Sequence, residues 1–220
     1  MGPDMNTPHT PDPKAFAKRK VPRQQRSRST VDSIQQAALL ILGDEGLARC
    51  TTERIAERAG VSIGSLYQYF PNRDAILTAL YENASVEYAG TLKSLIPVLL
   101  TLPTQQAVER TVEKLLSMHE RHRLVLLQLV HEVPHLRLAE QPFSFNHLTS
   151  SSTRAYLVSR LGTQRASDLD RWVFFLEQII LGCINAYLRD APPRVTRKAF
   201  MRDLCQIVTS YVDNQLRPAS

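Results

Sequence analysis

The sequence is poor in cysteine and has no long apolar run. Its 220 residues include three cysteines, Cys50, Cys183 and Cys205, at wide spacing and without a CxxC pair. This pattern argues against a disulfide scaffold or a cysteine-ligated zinc site, and it is typical of proteins of the reducing cytosol. No apolar stretch approaches the roughly 18 residues that a membrane-spanning helix needs. Prolines 3, 8, 11 and 13 stand where a signal peptide would need an apolar segment. We therefore expect a cytoplasmic protein without a membrane partner.

Acidic residues are scarce at the start of the chain. Residues 1–30 hold seven Lys or Arg and two Asp, a net charge of +5, whereas the other 190 residues hold 20 basic and 19 acidic residues, a net charge of +1. A tail of this charge suits phosphate groups or another anionic surface. Residues 1–28 are also rich in Pro, Ser and Thr, with Phe16 as the only aromatic residue. This composition predicts a disordered basic arm.

Beyond the arm, apolar residues recur at helical spacing almost to the end of the chain. No segment alternates with a sustained period of two, and turns typical of β-hairpins are missing. The sequence therefore predicts an all-α protein of about nine helices. We place a first helix after Ser29 or Thr30, a long helix from Asn72 to a stop at Pro97, and later helices at 145–161, 167–189 and 196–215.

The segment 50–73, CTTERIAERAGVSIGSLYQYFPNR, predicts a helix-turn-helix. Thr51 and Ser62 can each cap a following helix with a side-chain oxygen. Gly60 stands where the first short helix must end in a left-handed residue. Leu66 faces inward from the second short helix. The residues on either side of Leu66 then lie on the other faces of that helix. A plain helical hairpin inside a bundle is the alternative interpretation of this segment.

Over residues 30–77 the sequence resembles the TetR family of bacterial transcriptional regulators. Leu42 and Leu47 stand where the family often has aromatic residues, and an arginine stands at position 73 where lysine is common. The remaining two thirds of the chain match no subfamily that we can name. The residues that carry the resemblance are Ala37, Ala38, Gly46, Thr51, Ile55, Ala56, Ala59, Gly60, Val61, Ser62, Gly64, Leu66, Tyr67, Tyr69, Phe70 and Arg73.

The resemblance implies a homodimer that binds a palindromic operator in double-stranded DNA. After the basic arm (1–28) predicted from composition, it implies a three-helix helix-turn-helix domain (29–75) and a helical ligand-binding and dimerisation domain (76–220). In such a protein the recognition helix would read base edges while flanking residues hold phosphates. The implied DNA-binding residues are Thr51, Thr52, Ser62, Ile63, Gly64, Ser65, Tyr67, Gln68, Tyr69 and Arg73, and the basic arm adds Arg26 and Arg28.

The resemblance further implies a small-molecule effector and a dimer built from the last two helices. A purely intramolecular core is the alternative for those helices, since the helix at 167–189 is apolar on more than one face. The candidate ligand-binding residues are Tyr88, His119, Trp172, Phe175, Glu177 and Gln178. The candidate dimer residues are Ile179, Gly182, Cys183, Ala186, Leu204, Ile207, Val208 and Tyr211.

One motif favours a different class of protein. His131-Glu132-Val133-Pro134-His135 matches HExxH, which on an unbroken helix holds zinc and supplies a glutamate base. Pro134 would break that helix, at a cost of about 3 kcal/mol. We therefore expect that the protein binds no metal and no cofactor and is not an enzyme. A zinc hydrolase that uses His131, Glu132 and His135 is the alternative. A nucleic-acid-binding protein without sequence preference is a third hypothesis.

Overall fold

The computed structural model describes residues 23–136, 144–161 and 166–216, and these ranges contain nine α-helices and no strand. The prediction of an all-α fold is confirmed. A π-helical turn, Leu124–Leu129, leads into the short α6, and 3₁₀ turns lie at Leu47–Arg49 and Pro134–Leu136. The helices are α1 (Arg23–Glu45), α2 (Thr52–Ala59), α3 (Ile63–Tyr67), α4 (Arg73–Leu99), α5 (Thr104–Arg121), α6 (Val130–Glu132), α7 (Phe145–Leu161), α8 (Ala166–Asp190) and α9 (Arg197–Leu216).

The first three helices pack around a small apolar centre. Ile34, Ile41, Ile55 and Leu66 are fully buried there, since the apolar positions of α1, α2 and α3 converge at helical spacing. The beginning of α4 closes this unit with Ile76 and the residues that follow it. The predicted helix-turn-helix is therefore present, with α2 and α3 as its two helices.

The remaining helices form a second layer against the far part of α4. Helix α5 packs on α9, α7 packs on α8, and α4 contacts both α5 and α7. Trp172 of α8 and Tyr88 of α4 are among the largest fully buried side chains of this part. Because α4 runs continuously from Arg73 to Leu99, residue 76, our expected domain boundary, lies inside a helix that belongs to both parts.

Two helix boundaries differ from the sequence-based expectation. Helix α1 begins at Arg23, so residues 23–28, which we expected in the disordered arm, are helical. Residues 23–28 are all Gln, Arg or Ser, and none of them is a proline or glycine that would stop a helix. Pro22 precedes them, and proline is well tolerated at the beginning of a helix. Residues 1–22 of the expected arm lie outside the described residues. Helix α4 passes through Pro97 and ends at Leu99, since a proline in the last turn removes little of the hydrogen-bond ladder.

Candidate nucleic-acid interface and cavity

Four local devices hold the helix-turn-helix in shape. The Thr51 side chain accepts a hydrogen bond from the backbone N–H of Arg54 at 3.3 Å, and Ser62 accepts one from that of Ser65 at 3.1 Å. Gly60 ends α2 with φ 67° and ψ 30°, a left-handed conformation that costs an L side chain energy. Asn72 caps α4 in the same way, through Ala75 at 2.9 Å. The predicted caps and the left-handed glycine are confirmed.

Helix α3 is anchored on one side and open on the other. Leu66 is fully buried, whereas Ile63 and Tyr67 are 40% and 48% exposed. Gly64 and Gln68 are also exposed. A Cβ built on Gly64 would touch nothing nearer than the Ser62 hydroxyl oxygen at 4.0 Å, so the chain's own packing does not require glycine there. The face of α3 opposite Leu66 is therefore exposed to solvent, as the DNA-facing side of a recognition helix must be.

Two pairs of hydroxyl groups cross this surface. The Thr52 Oγ1 and Tyr67 Oη atoms lie 3.2 Å apart and join α2 to α3, while the Ser62 and Ser65 hydroxyl oxygens lie 2.8 Å apart. Thr52, one of the residues predicted to bind DNA, is buried. Its hydroxyl group is positioned to orient Tyr67, because Tyr67 covers it.

The arginines near the turn are mostly paired within the chain. Arg54 forms an ion pair with Glu45, and Arg58 lies 2.9 Å from Asp44. Arg73 lies 3.4 Å from the neighbouring carboxylate of Asp74. The first two pairs join α2 to the end of α1, and all three pairs partly neutralise arginines that could otherwise attract a polyanion.

Three other predicted interface residues lie outside α3. Tyr69 is half-buried, and its backbone N–H donates to the Leu66 carbonyl at 3.0 Å. Arg28 is exposed near the beginning of α1. Arg26 lies two positions earlier in α1, and its side chain falls outside the described part.

A cavity of about 80 Å³ lies inside the second layer, between α4, α5, α7, α8 and α9. It is small beside the roughly 300–1,000 Å³ of ordinary ligand pockets, so a larger ligand must displace side chains of the wall. Its wall is mainly apolar. The lining residues are Leu92, Leu95, Ile96, Leu99, Ala107, Val108, Thr111, Val112, Leu115, Thr149, Ser152, Thr153, Tyr156, Leu176, Glu177, Ile180, Val208 and Val212.

Of the six candidate ligand-binding residues, Glu177 alone lines this cavity. Tyr88 and His119 are buried beside it and pack edge to face with ring centroids 6.0 Å apart. Tyr88 donates a hydrogen bond to Thr149 at 2.8 Å, since the Thr149 hydroxyl group itself donates to the Phe145 carbonyl. These two residues support the wall from behind.

The assignments of Trp172, Phe175 and Gln178 to the ligand site are corrected by their positions. Trp172 is buried in the core away from the cavity wall, whereas Phe175 and Gln178 are exposed on the outer face of α8. The reason is geometric: α8 is apolar on two faces, and the face that carries Phe175 is exposed in the single chain. Sequence reasoning missed Tyr156, because its helix, α7, contains a run of small polar residues at 149–153 and shows no apolar stripe.

Two polar atoms of the wall have no hydrogen-bond partner in the part of the chain that the structure describes. These are Glu177 Oε1 and Tyr156 Oη, both buried. Burial raises the pKa of Glu177, while a hydrogen bond with Ser150 and the nearby His147 act in the opposite direction. Arg160 packs over the Tyr156 ring, 5.6 Å from its centroid, and its guanidinium group binds the carbonyls of Leu99 and Leu102.

The outer face of α8 and α9 carries several apolar side chains. Ile207 is 53% exposed, and the Phe175 ring lies 6.4 Å from that of Tyr211. Gly182 and Ala186 are exposed, and a Cβ on Gly182 would meet nothing within 4 Å. Ile179 and Cys183 are half-buried at the edge of this face. We call these residues, with Phe174, the α8–α9 face.

Two of the candidate dimer residues do not belong to that face. Leu204 and Val208 are buried in the core of the chain itself, and Val208 lines the cavity. They lie on the side of α9 that packs against α5, which the periodicity of α9 alone does not reveal.

The HExxH segment does not form the helix that a zinc site needs. Helix α6 ends at Glu132, Val133 leaves the helical conformation with φ −124°, and Pro134 begins a 3₁₀ turn. His131 lies 3.5 Å from Arg189, measured from Nε2 to Nη1. Within the described ranges no three His, Cys, Asp or Glu side chains come close enough to hold a metal ion.

The described residues thus form a helix-turn-helix with an open second helix, joined by one long helix to a helical domain. Residues 34–80 match the sequence model described as bacterial regulatory proteins, tetR family. In the described part, no helix is both long and apolar enough to cross a membrane.

Relatives and solved structures agree with that match. The chain is 33% identical over 78 residues to the nucleoid occlusion factor SlmA of Actinobacillus pleuropneumoniae serotype 5b (strain L20), covering 33% of this chain and 39% of that protein. It is 43% identical over 51 residues to the class C tetracycline repressor protein of Escherichia coli, covering 23% of each. The chain thus aligns with well under half of these relatives.

The fold as a whole is shared more widely than the sequence. A solved structure assigned to the TetR family, from Mesorhizobium loti MAFF303099, superposes with a TM-score of 0.68 at 16% identity, over 86% of this chain and 98% of that one. The helix-turn-helix segment thus fits the sequence model of that family, and the fold of the described residues is the one seen in this solved structure.

Proposed function

We propose that the protein is a ligand-responsive repressor that binds a palindromic operator as a homodimer in the cytoplasm. The observation that carries this proposal is the open face of α3, where Ile63, Gly64, Tyr67 and Gln68 are exposed above the buried Leu66. An apolar side chain such as Ile63 can contact a thymine methyl group, and a hydroxyl or amide side chain can bond to base edges. Phosphate contacts would come from Tyr67, Tyr69 and Arg73.

A dimer is supported by the α8–α9 face. One α3 helix reads only a few base pairs, and two copies related by a twofold axis would place two such helices about one DNA turn, roughly 34–36 Å, apart. Exposed Phe174, Phe175 and Ile207 with the small Gly182 and Ala186 allow two copies of α8 and α9 to pack closely. A twofold axis through this face would bring the same patch of both copies together.

Regulation by a ligand is supported by the path of α4. Its first residues pack on the helix-turn-helix, and its last two turns, Leu92–Leu99, line the cavity. The Asn83 side-chain amide of α4 also donates to Gln35 of α1 at 2.8 Å. A ligand that shifts the far end of α4 would therefore also move α3 in each copy of the dimer. The free energy by which the ligand changes DNA binding equals the difference between its binding free energies for the shifted and unshifted conformations.

Selection of bound sequences from a random DNA duplex pool tests the proposal. The full chain should enrich one inverted repeat, and a competition assay should show at least a hundredfold preference, about 2.7 kcal/mol, for that repeat over random duplex. Equal affinity for all duplexes would favour the sequence-independent nucleic-acid-binding protein instead. Enrichment of a single half-site without symmetry would contradict the dimer.

A further inference from the structure

The polar groups of the cavity wall indicate the chemistry of its ligand. Apolar residues from five helices make up most of the wall, and the polar atoms without a hydrogen-bond partner among the described residues are Glu177 Oε1 and Tyr156 Oη. Thr149, another polar member of the wall, already uses its hydroxyl group on Phe145 and Tyr88. A buried acceptor without a partner is costly, so a donor brought by a ligand would be bound strongly there.

The charge on the cavity wall is negative only. None of the lining residues is Lys, Arg or His, and Glu177 is the one acidic residue among them. The nearby cationic group, Arg160, is directed to the carbonyls of Leu99 and Leu102 at the end of α4 and lies against the Tyr156 ring. His147 also acts on the Glu177 carboxyl group, but it is exposed on α7 and does not line the cavity.

We propose that this cavity binds a small apolar amine in its ammonium form, with the Glu177 carboxylate as acceptor and the Tyr156 hydroxyl group as a second polar contact. An ammonium group supplies donors and a positive charge together, and charge-assisted hydrogen bonds are the stronger ones. A ligand anion would meet the Glu177 carboxylate in an apolar wall and be repelled. This proposal rests on the effector cavity of the proposed function and names the class of its ligand.

Three ligands with the same apolar body test it: benzylamine, benzyl alcohol and benzoate. Titration calorimetry on the full chain at neutral pH should give an affinity for benzylamine at least about tenfold above that for benzyl alcohol, with benzoate weakest. The Glu177→Gln variant should bind benzylamine no better than benzyl alcohol. The Tyr156→Phe variant should bind both benzylamine and benzyl alcohol more weakly than the unchanged chain does. Glu82→Gln, on an exposed carboxylate of α4, is the matched control and should leave all three affinities unchanged.

Several results would overturn the proposal. These are binding of benzoate or benzyl alcohol as tight as that of benzylamine, no binding of any of the three, or full benzylamine affinity in Glu177→Gln. If circular dichroism shows that the Glu177→Gln variant does not fold, the order of the three ligand affinities on the unchanged chain still tests the proposal. The duplex selection is independent of this ranking, so a chain that selects an operator but does not prefer the amine contradicts this inference alone.

Discussion

The hydroxyl groups of Thr52 and Tyr67, 15 positions apart in the sequence, lie 3.2 Å from each other and connect the two helices of the helix-turn-helix. Thr52 is buried and Tyr67 is half exposed, so the bond fixes the direction of an aromatic side chain at the open face of α3. The same Tyr67 hydroxyl group can still interact with a phosphate on its open side.

The first prediction concerns this pair. Tyr67→Phe removes a phosphate contact and should weaken binding to all duplexes by a similar factor, about fivefold to tenfold, for a bond of about 1 kcal/mol. Thr52→Val should weaken binding in the same uniform way because Tyr67 loses its orientation, whereas Thr52→Ser should not. A double-mutant cycle measured by fluorescence anisotropy should show coupling. Strictly additive effects would mean that Thr52 does not act through Tyr67.

The second prediction concerns base reading by α3. Ile63→Ala or Ser65→Ala should change the preferred base at one position of each half-site by about 1 kcal/mol or more. Comparison of single-base operator variants by competition binding measures this. Val86→Ala, an exposed β-branched residue on α4, is the control. Wild-type selectivity at every position in both α3 variants would place the reading surface elsewhere.

The third prediction concerns the α8–α9 face. Gly182→Glu and Ile207→Asp should give folded monomers, because both positions are exposed in the single chain and the new charges would lie between two copies. Light scattering gives the mass, and circular dichroism checks the helical content. Val86→Asp places a charge on an exposed part of α4 and should leave the dimer intact. Folded dimers in both face variants would contradict this interface.

The fourth prediction concerns the basic arm. Residues 31–75 hold four Arg against six Asp or Glu, a net charge of −2, and three of these Arg are paired within the chain. The arm at +5 must then supply much of the attraction to DNA, since each phosphate neutralised adds about 0.9 to the slope of log affinity against log salt. Changing Arg23, Arg26 and Arg28 to Ala should flatten that slope by about 2 or more per dimer. An unchanged slope across salt titrations would exclude this role.

The fifth prediction concerns the buried carboxyl group of Glu177. Because burial raises its pKa in the folded chain, the unfolded chain releases this proton more readily, and stability falls as pH rises above the ordinary carboxyl pKa of about 4.5. Glu177→Gln should therefore raise the melting temperature at pH 7 and have no such effect near pH 4. Thermal unfolding at both pH values measures it, with Glu82→Gln as control. A lower melting temperature at pH 7 would mean that the carboxylate is well satisfied.

The helix caps and the left-handed glycine could be predicted from the sequence. Thr51, Ser62 and Asn72 are caps and Gly60 is left-handed because each role depends on a residue and its immediate neighbours. The all-α class follows from periodicity in the same way. The sequence did not reveal that Thr52 is covered by Tyr67 or that Arg54 is paired with Glu45, since these contacts join different helices.

What the sequence determined by itself is therefore the helix-turn-helix, its caps and the helical nature of the rest, since each depends on a pattern within about one or two turns. Tertiary structure decided which side of each later helix is inside. It turned Phe175 and Gln178 outward, buried Leu204 and Val208, and brought Tyr156 to the cavity with Glu177. A helix that is apolar on two faces can satisfy its periodicity in either orientation, and the choice is made only when neighbouring helices cover one of them.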